Sequence, residues 1–121
     1  MSADIKVRRV YEEASPDDGA RVLVDRLWPR GLSKEAAELE EWAKDVAPSN
    51  ELRTWYGHDP KRHTEFRRRY EAELAAPAAH EGLERLRGLA AADGTLTLLT
   101  ATRAVDLSHA EVLADLLRKP A

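Results

Sequence analysis

Two short β-rich runs, set far apart and separated by a long stretch of helical pattern, constrain this chain more than any other feature. They are Arg21–Leu27 (RVLVDRL) and Thr95–Thr100 (TLTLLT). Both carry the β-branched and leucine-rich composition of strands. Strands that return through helices pair in parallel, because a parallel neighbour needs a long crossover. The expectation is therefore a small three-layer α/β domain, with a mainly parallel sheet of about four strands covered by helices. At 121 residues the chain fits a single domain spanning 1–121. A chain of this size buries about 65% of the surface its unfolded form exposes, so it needs no disulfide or metal staple.

The remaining punctuation fills in the order. Ile5–Tyr11 alternates and reads as a first strand, and Ala14–Ala20 (ASPDDGA) as a loop. Pro29 and Gly31 stop the second strand. Ser33 is placed to cap a helix from Lys34, with Leu39, Trp42 and Val46 following at helical spacing; Trp42–Val46 fits a short strand equally well. Ser49 can cap a short helix bearing Leu52, Trp55 and Tyr56, with Gly57 as its stop. Asp59-Pro60 opens a helix whose inward stripe is Phe66, Tyr70 and Leu74. A further helix over Pro77–Ala92 turns Leu83, Leu86 and Ala90 inward, and Gly82 and Gly88 weaken it by up to ~1 kcal/mol each relative to alanine. Ser108-His109-Ala110-Glu111 has the capping-box pattern and opens a last helix carrying Val112, Leu113, Leu116 and Leu117.

Composition excludes several chemistries. Without cysteine there are no disulfides, thiolate metal sites, iron–sulfur clusters or cysteine nucleophiles. A net charge of −3 argues against a dedicated nucleic-acid binder. The start MSADIKVRRV has no apolar signal core, and no apolar run approaches the ~20 residues that span a bilayer. Membrane association is not expected, and the cytoplasm is the default compartment. No P-loop, strand-linked GxGxxG, GxSxG elbow or HExxH is present, and no motif implies a cofactor. Ser15, Ser33 and Ser49 read as turn or cap residues, not nucleophiles.

Two stretches carry a family likeness. One runs from RVLVDRLWPRGL at Arg21–Leu32 through WAKDVAPSNELRTWYGHDP to EFRRRYEAEL; the other is LLTATRAVDLSHAEVLADL at Leu98–Leu116. Together they resemble the YeaO-like family, catalogued as domain of unknown function 488, along nearly the full chain. Thr100 stands where the family pattern has tyrosine, Ala104 where it has an acid and Ser108 where it has asparagine. The resemblance implies a fold and a site position but no established activity.

Ligands of open parallel sheets sit outside the carboxyl ends of the strands. In this chain those ends carry Arg8 and Arg9, then Asp25, Arg26 and Arg30, then Thr100, Thr102 and Arg103. His109 joins them, since it shares a helix face with Val112, Leu113 and Leu116 and lies in the first turn, where free N–H groups favour an anion. The expectation is a site for a small anionic ligand. Arg26, Arg30 and Arg103 hold the charge, Trp28 and Thr100 contact the bound molecule, and Asp25 and His109 are candidate catalytic acid and base. The plainer alternative makes Asp25 and Arg26 a structural ion pair and His109 a core histidine.

Other residues suit two rival functions. A metal shared by Asp25, His58 and His109 would make a metal-dependent enzyme, although His58 and His63 lack the i, i+4 spacing of a helical ligand pair. A basic run, Lys61-Arg62 and Arg67-Arg68-Arg69, would suit a regulatory module contacting nucleic acid or a protein. Glu65, Glu71 and Glu73 stand at pairing distance from Arg69, Arg67 and Arg69 respectively, which reads instead as a solvated helix face.

Overall fold

In the computed structural model, which describes residues 3–119, the strands are β1 (Asp4–Arg9), β2 (Ala20–Leu23), β3 (Glu41–Trp42) and β4 (Thr95–Thr100). They hydrogen-bond in the order β1–β4–β2–β3, and each neighbouring pair is parallel. The helices are α1 (Lys34–Ala37), α2 (Asn50–Tyr56), α3 (His63–Leu74), α4 (Pro77–Asp93) and α5 (His109–Arg118). The expected α/β class with a four-stranded parallel sheet is what forms.

Side-chain alternation divides the sheet into two unequal faces. Ile5, Val22, Leu96 and Leu98 point into the main core, where Phe66, Tyr70, Leu86 and Leu113 from α3, α4 and α5 cover them. Leu23 and Leu99 point the other way, under Trp28, Leu32, Leu39 and Trp42. That second layer is thin, built mostly from the irregular segment before and after α1.

Local capping explains most element ends. Ser33, Ser49 and Ser108 each accept a backbone N–H from three residues on, at 3.1, 3.1 and 3.3 Å. Gly94 ends α4 in the left-handed region at φ 78°, which glycine adopts without a steric cost. The helix expected to run from Lys34 toward Val46 stops at Ala37 instead. Arg21 reaches over from β2 and donates to the Ala37 carbonyl at 3.0 Å and to the Glu38 carbonyl at 3.2 Å, consuming the acceptors of that helix end. Glu38 then takes φ 48°. The ambiguous Trp42–Val46 segment divides in two, with Trp42 ending β3 and Lys44–Val46 forming a single 3-10 turn.

Arg21 also meets Asp18 at 2.6 Å, an ion pair in which both side chains are almost wholly buried. Arg8 approaches the same carboxylate at 2.8 Å, and the Ser15 N–H donates to it at 2.9 Å. Burial pushes the Asp18 carboxyl up, but the Ser15 N–H and the guanidinium groups of Arg8 and Arg21 outweigh it, holding the group below the ordinary carboxylate range. Asp18 thus falls within the stretch expected as a plain loop, yet it is buried.

The basic run on α3 is largely neutralised. Glu65 bonds Arg68 at 2.5 Å and Arg69 at 2.8 Å, and Arg67 meets Asp115 of α5 at 2.8 Å. The expected pairing of Arg69 with Glu73 does not form, because Glu73 accepts from the N–H and hydroxyl of Ser49. Among the described residues no helix is long and apolar enough to cross a membrane.

Candidate functional site

The strand ends of β2 and β4 are joined by one carboxylate. Past Leu23 the Val24 N–H makes a last ladder bond to the Leu99 carbonyl at 3.1 Å, and the chain then bends at Asp25. Oδ1 of Asp25 accepts from the Thr100 hydroxyl at 2.8 Å and Oδ2 from the Ala101 N–H at 2.8 Å. Its own carbonyl accepts from Nε1 of Trp42 at 2.8 Å, which draws in the end of β3. These bonds end the second strand four residues before the expected Leu27.

His109 closes the cluster from the start of α5. Its Nε2 lies 2.9 Å from the Val24 carbonyl and 3.3 Å from Oδ1 of Asp25. A carbonyl oxygen only accepts, so the hydrogen is on Nε2. Burial lowers the pKa of the ring, and this outweighs the opposing pull of Asp25, so the neutral imidazole is favoured. Tyr70 packs edge-on against it with ring centroids 6.0 Å apart, while its hydroxyl donates to the Val46 carbonyl.

Outside this cluster lies a hollow of about 450 Å³, within the range of small-molecule sites, roughly 300–1,000 Å³. Asp25, Thr100 and His109 form its inner wall, and Tyr56 and Phe66, stacked 4.0 Å apart, also line it. Arg26, Trp28 and Arg30 come from the bend after β2, and Arg53 and His58 from α2 and its exit. His58 has φ 55°, directly after Gly57 at φ 51°, so two successive left-handed residues turn the chain where α2 ends, at the wall of the hollow.

Six of the seven expected site residues thus line one hollow: Asp25, Arg26, Trp28, Arg30, Thr100 and His109. Arg103 does not; it is exposed on the loop beyond. Arg8 and Arg9 are also elsewhere, Arg8 on Glu12 and Asp18, Arg9 on the Ala101 carbonyl. Asp25 orients no arginine. Arg26 turns from it and donates to the carbonyls of Ala47 and Pro48 at 3.1–3.3 Å, pinning the entrance to α2. Arg53 was missed because it reads as an ordinary helix-surface arginine, and nothing near it in sequence marks a site. His58 shares the hollow with Asp25 and His109, yet among the described residues no three His, Asp or Glu side chains are grouped to hold a metal ion.

A small parallel α/β domain with an arginine-lined hollow outside the carboxyl ends of its strands is the class of protein these features define. The model of a family described as "Inactive DUF488-N3 subclade" matches residues 4–121. An uncharacterised protein of Mycobacterium tuberculosis, Rv3073c, is 52% identical over 113 residues, covering 93% of this chain and 92% of that protein. The uncharacterised protein YeaO of Escherichia coli is 43% identical over 115 residues, covering 95% and 97%. The chain belongs to this YeaO-like DUF488 family. No solved structure gives a significant match.

Proposed function

We propose that the hollow binds a small anionic ligand and that the domain is a binding module without catalytic activity. One observation carries the reading. Arg26, Arg30 and Arg53 line the hollow against a single carboxylate, Asp25, whose two oxygens are turned inward onto Thr100 and Ala101. The field at the opening is then set by guanidinium groups, which suit carboxylate or phosphate oxygens.

The absence of chemistry is supported from two sides. The family description contains the word inactive. In the site itself, the Thr100 hydroxyl is spent on Asp25 and Nε2 of His109 on Val24, and the chain has no thiol. The test is a low-salt thermal-shift panel of small carboxylates and phosphates on the wild type and on Arg53→Glu. Stabilisation by an anion that the variant loses is expected; equal response of both proteins refutes the reading.

The acid–base alternative has one observation in its favour, the 3.3 Å approach of Asp25 to His109 at the hollow's wall. Turnover of any bound ligand that His109→Gln abolishes without weakening its binding would establish it over the non-catalytic reading.

A further inference from the structure

We infer that the ligand of this hollow is an amphiphilic organic anion, a carboxylate carried on an aromatic or alkyl body, and not a polyphosphate or a bare oxyanion. This rests on the anion-binding reading above and narrows it.

The first argument concerns the place where a parallel sheet ordinarily cradles a phosphate, the backbone N–H groups of the loop after a central strand. Here the first two of those groups after β4 are taken. The Ala101 N–H donates to Oδ2 of Asp25 at 2.8 Å, and the Thr102 N–H points to the Thr100 hydroxyl oxygen at 3.4 Å. Of the first-turn donors of α5, the Glu111 N–H goes to the Ser108 hydroxyl. The carboxylate of Asp25 itself sits in the cradle as a built-in anion, and its charge opposes a second one at that depth. Charge recognition is displaced outward to Arg30 and Arg53. Arg53 has a single weak bond, 3.5 Å to Asn50, and the Arg30 bond to Tyr11 uses its carbonyl and leaves the guanidinium out.

The second argument is independent and concerns the rim. Among the described residues the exposed large hydrophobics are Leu27, 63% exposed, and Tyr11, 42% exposed. Both line this hollow, beside Trp28 and Pro29. Isolated exposed apolar side chains are ordinary, but these two converge with aromatic walls on one opening. Water-exposed leucine next to unengaged guanidinium groups fits a ligand with one charged end and an apolar body.

The experiment titrates the full-length chain with four probes: 4-phenylbutyrate, its neutral amide, acetate and pyrophosphate. The indole N–H resonance of Trp28 serves as the site reporter. The expected result is that 4-phenylbutyrate binds at least about tenfold more tightly than acetate, the scale of burying a few methylene groups. It should shift the Trp28 signal, and it should bind more tightly than the amide or pyrophosphate. Leu27→Ser, at a position exposed enough to leave folding intact, should weaken it by about three- to tenfold while leaving acetate unchanged. Pyrophosphate binding more tightly than 4-phenylbutyrate overturns the inference and leaves the anion-binding reading standing. Equal affinity for the amide and the carboxylate, or no binding by any probe, overturns both.

Discussion

Thr100, the last residue of β4, gives its hydroxyl hydrogen to Oδ1 of Asp25 across 2.8 Å, tying the ends of two neighbouring strands through side chains. Both groups are removed from bulk water: Thr100 is 1% exposed and the Asp25 side chain 17%. An acceptor lost in such a place leaves its donors without partners, and each costs about 1–3 kcal/mol. Asp25→Ala strips both Thr100 and the Ala101 N–H, and should destabilise the domain by about 2–4 kcal/mol. Thr100→Val removes one donor and should cost about 1–2 kcal/mol. Urea unfolding of the two variants measures this directly; Asp25→Ala costing less than Thr100→Val would contradict the arrangement.

His109 should remain the neutral Nε2–H tautomer at pH 7, readable from the two ring ¹⁵N shifts. Because burial lowers its folded pKa, the unfolded chain takes up a proton first as pH falls below the ordinary histidine value of about 6.5. The stability from this group is complete above that pH and declines as pH falls toward the folded pKa. His109→Gln keeps an Nε2 donor for the Val24 carbonyl and should flatten that part of the stability profile. An Nδ1–H tautomer in the spectrum would refute the assignment.

The Asp18–Arg21 pair lies in the interior, so removing one partner strands a buried charge. Asp18→Ala should cost about 3–5 kcal/mol at pH 7. Asp18 is held below the usual range when folded and returns to about 3.9 when unfolded. Its contribution is therefore present above pH ~4 and is lost as pH falls through the folded value. Asp18→Asn should shed that acid-side slope, and guanidinium titrations at pH 3 and pH 7 compare the two. A variant with an acid limb parallel to the wild type would show that Asp18 carries none of it.

Gly82 and Gly88 look alike in sequence, two glycines inside one helix, yet they should respond in opposite directions to alanine. A methyl group at Gly88 meets nothing within 4 Å and should stabilise α4 by about 0.5–1 kcal/mol. At Gly82 it would come 2.8 Å from Oδ2 of Asp45 and from Cγ1 of Val46, and should destabilise by about 1–3 kcal/mol. Thermal melts of Gly82→Ala and Gly88→Ala test this; two shifts of the same sign would place the turn over Gly82 wrongly.

Strand composition and helix spacing sufficed for the class of fold, because hydrophobic period and caps act over a few residues. β4 forms at Thr95–Thr100 as expected, and Ser33, Ser49 and Ser108 all cap helices. Where long-range contacts compete, the local pattern lost. Leu39, Trp42 and Val46 have helical spacing, but Arg21 takes the carbonyls at Ala37 and Glu38 and the helix ends there. Arg26, expected to hold a ligand, lines the hollow while also donating to the carbonyls of Ala47 and Pro48, partners no local pattern marks.

The sequence by itself determined that Asp25, Thr100 and His109 fall at strand ends and a helix start, since parallel connection forces those points onto one edge of the sheet. Which of them bond, which arginines face the hollow, and that Asp25 fills the cradle from within were decided only by the tertiary structure. The reason is geometric: a side chain's hydrogen-bond partner is set by separations of a few tenths of an ångström between segments that the order of residues leaves far apart.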